Sequence, residues 1–222
     1  MADYVADYDT LLSTVRIYCA RSDSTFSSQL PVFVSLAEQR IYYGHGSNPD
    51  GDPLYSPPLR SKIMESSSTI TVAGGVGTVP DNALDLRRVT RDGDQTGMQY
   101  AAPHVWSLMD SRQVTGQMPY YYTVEGTTIK VTPSYDGNIA IDYYGKLPAI
   151  GVTNKTGPMI IEHGMAYLTA TMYEAMSFMQ EVDLATAWIA RFRSLVHGIN
   201  NSALAVRAPG GRVRSVVART IG

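Results

Sequence analysis

The sequence predicts an α+β protein: a four-helix bundle formed by N- and C-terminal helix pairs, with an inserted antiparallel β module and an extended basic C-terminal arm. Three observations predict it. Apolar residues recur at steps of three and four towards both ends of the 222-residue chain. Between them lie short runs of β-branched and aromatic residues set off by turn formers. The last 39 residues then carry six arginines and no acid. Two helices at each end must cover one another's apolar stripes, because a lone pair buries too little surface. The expected divisions are 1–44 with 156–206 for the bundle, 45–155 for the β module and 207–222 for the arm.

The first helix spans residues 7–20, where Tyr8, Leu11, Leu12, Val15, Tyr18 and Cys19 share a face and Asp7 and Asp9 suit the positive helix end. Cys19, the single cysteine, reads as a small buried hydrophobe. A second helix is expected from about Gln29 to Tyr43, with Pro31 in its first turn, Gly44 as its stop, and Phe33, Leu36, Ala37 and Ile41 inward. Residues 44–58 are too dense in Gly, Asn, Asp and Pro for helix or strand. Strands follow at Ile63-Met64, Thr69–Ala73, Leu84–Thr90, Gln99–Ala101, Tyr120–Val124, Thr128–Thr132 and Asn138–Tyr144, with hairpin turns at Glu125-Gly126 and Asp136-Gly137. A short helix opens at Pro103. Helical spacing returns at Pro158 and runs through Ile161, Met165, Leu168, Met172, Met176 and Met179 as one stripe. Asp183 is the expected N-cap of the last helix, whose face is Leu184, Trp188, Phe192, Leu195 and Ile199.

Charge separates along the chain. Setting the terminal +6 against the overall −2 leaves −8 on residues 1–183. An acidic body with a basic end points to an interaction arm for an acidic partner, nucleic acid or a membrane. The start Met1-Ala2-Asp3-Tyr4 has no basic stretch leading into an apolar one, so no secretory signal is expected. Glu162, His163 and Glu174 interrupt the most apolar helix, which argues against a membrane span.

Catalytic motifs find no support. Gly44-His45-Gly46-Ser47 continues into Asn48-Pro49 and so lacks the Gly-x-Ser-x-Gly elbow. Gly74-Gly75-Val76-Gly77 lacks the Lys-Ser/Thr of a phosphate loop and suits a turn. His45, His104, His163 and His197 stand singly, and the adjacent pair Glu162-His163 points in two directions on a helix. Asp50 with Asp52, and Asp92 with Asp94, fall in turns where Asp serves the backbone. No catalytic residue, metal or cofactor is expected. A cell-wall glycosidase with carboxylates brought together from distant positions stays open, as does a nucleic-acid-binding protein. The arm, however, has no aromatic residue to stack on bases. Partner binding is expected at Arg207, Arg212, Val213, Arg214, Val216, Val217 and Arg219, forked donors alternating with apolar anchors, against a solvated terminus as the alternative.

Four stretches together resemble the head-to-tail adaptor, or connector, proteins of tailed bacteriophages. Thr25-Phe26, Leu30-Pro31-Val32-Phe33-Val34 and Ala37-Glu38-Gln39-Arg40-Ile41 resemble that family's second helix. Val79-Pro80-Asp81-Asn82-Ala83-Leu84-Asp85-Leu86-Arg87-Arg88-Val89 resembles its entry into a strand. Pro119-Tyr120-Tyr121-Tyr122 through Ile129, Pro133 and Ile139–Tyr144 is similar to its Tyr-rich hairpins. Ala166-Tyr167 through Glu174-Ala175, Phe178-Met179, Asp183 and Leu184–Phe192 is similar to its closing helix pair, so the likeness spans about residues 8–195. The resemblance implies a structural virion protein at the neck, made in the host cytoplasm. It would be a ring, typically dodecameric, that docks on the portal protein, extends the DNA channel and receives the next tail or nozzle component, without a membrane.

Overall fold

The computed structural model describes residues 5–46, 51–52, 54–91, 93, 96–110 and 118–207. Among the described residues the fold is α+β, with five α-helices and two sheets. One compact unit holds residues 1–62, 150–156 and 160–222, and a second holds 63–149 and 157–159.

In the first unit, α1 (Tyr8–Cys19) opens with a capping box: the Asp7 carboxylate accepts from the Thr10 backbone N–H at 2.7 Å, and the Thr10 hydroxyl receives the Asp7 N–H. Asp23 caps α2 (Ser24–Tyr43) by accepting the Phe26 backbone N–H, without the reciprocal bond. These bonds pull both carboxyls below the ordinary range. The cap places the start of α2 five residues before the position expected from Pro31, which lies inside the helix. Helix α4 (Pro158–Phe178) contains non-helical backbone at His163, and α5 (Val182–Arg207) begins one residue before Asp183, which therefore sits in the first turn. The kink divides the α4 stripe. Leu168, Met172 and Met176 are buried with Met159 and Ile160, whereas Ile161 and Met165 face outward. On α5 the buried line is Ala185, Ile189, Phe192, Val196 and Ala203, and Leu184 is exposed. On α2, Leu36 is exposed while Phe33, Ala37 and Ile41 are buried as expected.

The second unit begins with a 3₁₀ turn at Lys62–Met64, where a strand was expected. Seven strands follow: β1 (Glu65–Val72), β2 (Val76–Thr78), β3 (Ala83–Arg91), β4 (Gln99–Tyr100), β5 (Tyr121–Glu125), β6 (Thr128–Thr132) and β7 (Gly137–Gly145), with α3 (Pro103–Asp110) after β4. One sheet has the order β1-β7-β3 and the other β2-β6-β5-β4. All ladders are antiparallel except β4 on β5. Gly126, at positive φ, turns β5 into β6 as a hairpin. Asp136-Gly137 does not make one, since β6 and β7 belong to different sheets. Gly74 and Gly75, both at positive φ, make the turn from β1 into β2. Inward residues of both sheets form one core of Ile70, Val72, Val79, Val89, Tyr122, Ile129, Val131, Ile139, Ile141 and Tyr143.

Candidate functional site

Charged residues within an apolar helical stripe must find partners or the helix cannot pack. Glu38 and Arg40 of α2 are both buried. Glu38 Oε1 accepts the Tyr167 hydroxyl at 2.9 Å and the Ile150 backbone N–H at 2.9 Å. Burial and that carboxylate push the Tyr167 hydroxyl far up, which keeps it a donor. Arg40 bonds Glu174 Oε1 through Nε at 3.2 Å and Nη2 at 3.1 Å, and its guanidinium lies over the Tyr173 ring at 4.3 Å. Desolvation raises the Glu174 carboxyl despite the guanidinium.

A second group of bonds ties down residues 56–61. His45 and Ser56 exchange backbone bonds at 2.8 and 2.9 Å, closing the base of the Pro/Gly-rich loop. Leu59 N–H donates to the Ile41 carbonyl, and the Asn200 amide bonds both the Arg60 N–H and the Pro58 carbonyl, as a neighbouring strand would. Ser61 Oγ lies 2.6 Å from His163 Nε2. A serine hydroxyl on an imidazole is the start of a nucleophile and base. Here Ser61 is buried, and among the described residues no carboxylate hydrogen-bonds the ring to orient it. The pair joins residues 56–61 to α4 at its kink.

Burial holds the His163 imidazole below its ordinary 6.5, against the pull of the Glu162 carboxylate and backbone. The fold therefore favours the neutral ring. That contribution to stability is present above pH 6.5 and is lost as pH falls through the lower folded value. Acidification from about pH 7 to about pH 5 is expected to lower the melting temperature of the helical unit, more steeply in the native protein than in a His163→Gln variant. Calorimetry across that range checks this, and parallel slopes would reject it.

Open clefts offer little chemistry. One of about 510 Å³ is lined by Tyr55, Pro57, Arg193, Ser194 and His197. Another of about 390 Å³ in the β unit is lined by Leu84, Leu86, Tyr100, Tyr122 and Val124 with Asp85 as its carboxylate. Neither these nor the three smaller or shallower clefts among the described residues carries two carboxylates, as a glycosidase would need. Among the described residues no three of His, Cys, Asp and Glu gather as metal ligands, and no helix is long and apolar enough to cross a membrane. Cys19 is half-buried, and burial pushes its thiol up to about 11, which leaves little thiolate near neutral pH.

The expected partner-binding residues Arg212, Val213, Arg214, Val216, Val217 and Arg219 lie outside the described residues, as does the side chain of Arg207, whose backbone ends α5. Sequence reading passed over Glu38, Tyr167 and Asn200 as positioning groups. The signal was there for Glu38, a charge one turn from both Val34 and Ile41 on a buried face.

The described polar clusters bond backbone and close on one another inside the molecule, the arrangement of a structural protein that works by presenting surfaces. The chain belongs to the SU10 adaptor protein family, which it matches over residues 6–215. No curated protein matches it significantly. The family makes the chain a structural adaptor of a bacteriophage. The likeness seen over about residues 8–195 thus extends at both ends, taking in Arg207, Arg212, Val213 and Arg214 and stopping before Val216, Val217 and Arg219.

Proposed function

We propose that the protein forms a ring, dodecameric as is typical of head-to-tail adaptors, between the portal and the next tail or nozzle component of the virion neck, extending the DNA channel. Family membership over residues 6–215 carries this reading. In it, α1, α2, α4 and α5 make a four-helix bundle, the β unit is a module inserted between α2 and α4 in the sequence, and residues 207–222 are an arm docking on the portal. Charge supports it. A body of −8 per copy suits a channel wall, because like charge lets a phosphate backbone slide without adhering. The same charge makes copies repel, so isolated protein is monomeric at low salt and assembles when salt screens it or the portal takes up the arm.

Truncation after Ala208 is expected to leave the fold intact and to weaken co-sedimentation with portal rings. Replacing Arg212, Arg214 and Arg219 by Glu weakens it more than replacement by Gln, because forked guanidinium bonds to carboxylates become like-charge contacts. Unchanged co-sedimentation after truncation would return the arm to a solvated terminus.

A further inference from the structure

We propose that copies of this chain join head to tail through two charge-poor faces of the helical unit: the outer side of α2 on one copy seats in the groove that α4 and α5 form on the next. This rests on the ring reading above and names the surfaces that would build it.

Every exposed position from Ser24 to Tyr43 is uncharged, since the charged residues of α2, Glu38 and Arg40, are buried. The charges bordering the Leu36–Tyr43 end of that side are Arg40 and Glu174, paired with each other beside His45. Val32, Leu36 and Tyr43 stand 40–62 % exposed along that side, at helical spacing with Gln39 between them. Singly exposed apolar residues are ordinary, but an uncharged line along a whole helix with a tyrosine in it has the composition of an interface core. On an acidic body such a face is where a second copy can approach without setting like charges against each other.

The receiving face is the part of α4 on either side of its kink. Ile161 and Met165 are about half exposed. Met165 lines a cavity of about 280 Å³ with Val5, Leu195 and Ile199. The cavity is continued by a shallow groove over Leu195, Gly198, Ile199 and Ser202, hollow at Gly198, where a side chain would meet no neighbour. The charges bordering it are Glu162 and Arg191, one of each sign.

Leu36 and Tyr43 share their cleft with Glu174 of α4, whereas Met165 faces the other one. Met165 and Glu174 stand nine positions apart, about two and a half turns of an α-helix, which leaves them on opposite sides of it. The two faces therefore look in opposite directions from α4. Dissimilar patches on opposite sides make a heterologous contact, which cannot form a two-fold pair and builds a ring when the rotation between copies closes, as the ring reading requires. A helix of 20 residues offers a face about 30 Å long and about 10 Å wide. That is less than the roughly 800 Å² each partner buries in a stable pair. A copy held on both sides in a closed ring has twice that, so rings should appear without a stable dimer preceding them.

Analytical ultracentrifugation in about 0.5 M salt, where body charges are screened, tests the assignment. The native protein is expected to form rings. The Leu36→Asp and Met165→Asp variants are each expected to stay monomeric, with association weakened at least tenfold. Mixed together they have one intact contact between them, so chemical cross-linking should trap a dimer and nothing larger. If circular dichroism shows that either variant fails to fold, Val32→Asp and Ile161→Asp probe the same two faces. Rings from either variant alone, or no cross-linked dimer from the mixture, would overturn the faces while the ring reading stood. Native protein that stays monomeric both in salt and on portal would sink the two together.

Discussion

Replacing Glu38 by alanine is expected to lower the stability of the helical unit by about 2–3 kcal/mol, because it strands one buried donor, which costs about 1–3 kcal/mol when unpaired, and leaves a second with only Tyr42 beside it. Those donors, the Tyr167 hydroxyl and the Ile150 N–H, reach Glu38 from α4 and from the segment that re-enters the helical unit. Tyr167→Phe removes a donor along with its bond and leaves Ile150 paired, so about 1 kcal/mol is expected. Glu38→Ala with Tyr167→Phe should then cost less than the two singly, as coupled partners do. Urea unfolding followed by Trp188 fluorescence in a Trp106→Phe background reads the helical unit alone. A Glu38→Ala cost below about 1 kcal/mol would mean that water replaces the carboxylate and that the network is dispensable.

Gly164→Val is expected to destabilise the same unit by about 1–3 kcal/mol, the usual cost of forcing atoms into a packed site. Gly164 follows the kinked residue, and any side-chain carbon on it would run into the backbone carbonyl of Val5, itself buried. Neither neighbour is the flexible end of a side chain, so the N-terminal segment or the kink must move. Gly198→Ala is the comparison. It lies within α5 with open space around the position, so it should stabilise by up to about 1 kcal/mol through helix propensity. Equal effects at the two glycines would show that backbone entropy, and not the Val5 contact, governs Gly164.

Regular stretches were legible in the sequence wherever a local rule had no tertiary competitor. Strand β6 lies at Thr128–Thr132 as its β-branched run suggests, and α4 ends one residue before the expected Met179. Rules failed where a neighbour overrode them. Pro31 marks a helix start only if nothing caps earlier, and Asp23 does. The α4 stripe is continuous in sequence but not in burial, since Ile161 and Met165 are exposed around a kink at His163 that no periodicity records. Ile63-Met64 has strand composition, yet it coils as a 3₁₀ turn. Partner surfaces were least legible. An apolar residue reads the same whether it faces its own core or a neighbouring copy, and Leu36, Ile161 and Met165 were all assigned inward for that reason.

The pairing of β1 with β7 bears on how this chain folds. Glu65 stands opposite Tyr144, so the residues that begin and end the long excursion between α2 and α4 are neighbours across one ladder. Adjacent strands lie about 5 Å apart. Without that ladder, bringing the two halves of the helical unit together means closing a loop of nearly a hundred residues; with it, the effective loop shrinks to the short connections on either side. The logarithmic dependence of closure entropy on loop length makes this a gain on the order of 1–2 kcal/mol. Its kinetic consequence is an order of events: strands that pair first turn a slow, distant search by α4 and α5 into a local one, so refolding of the helices should wait on the sheet.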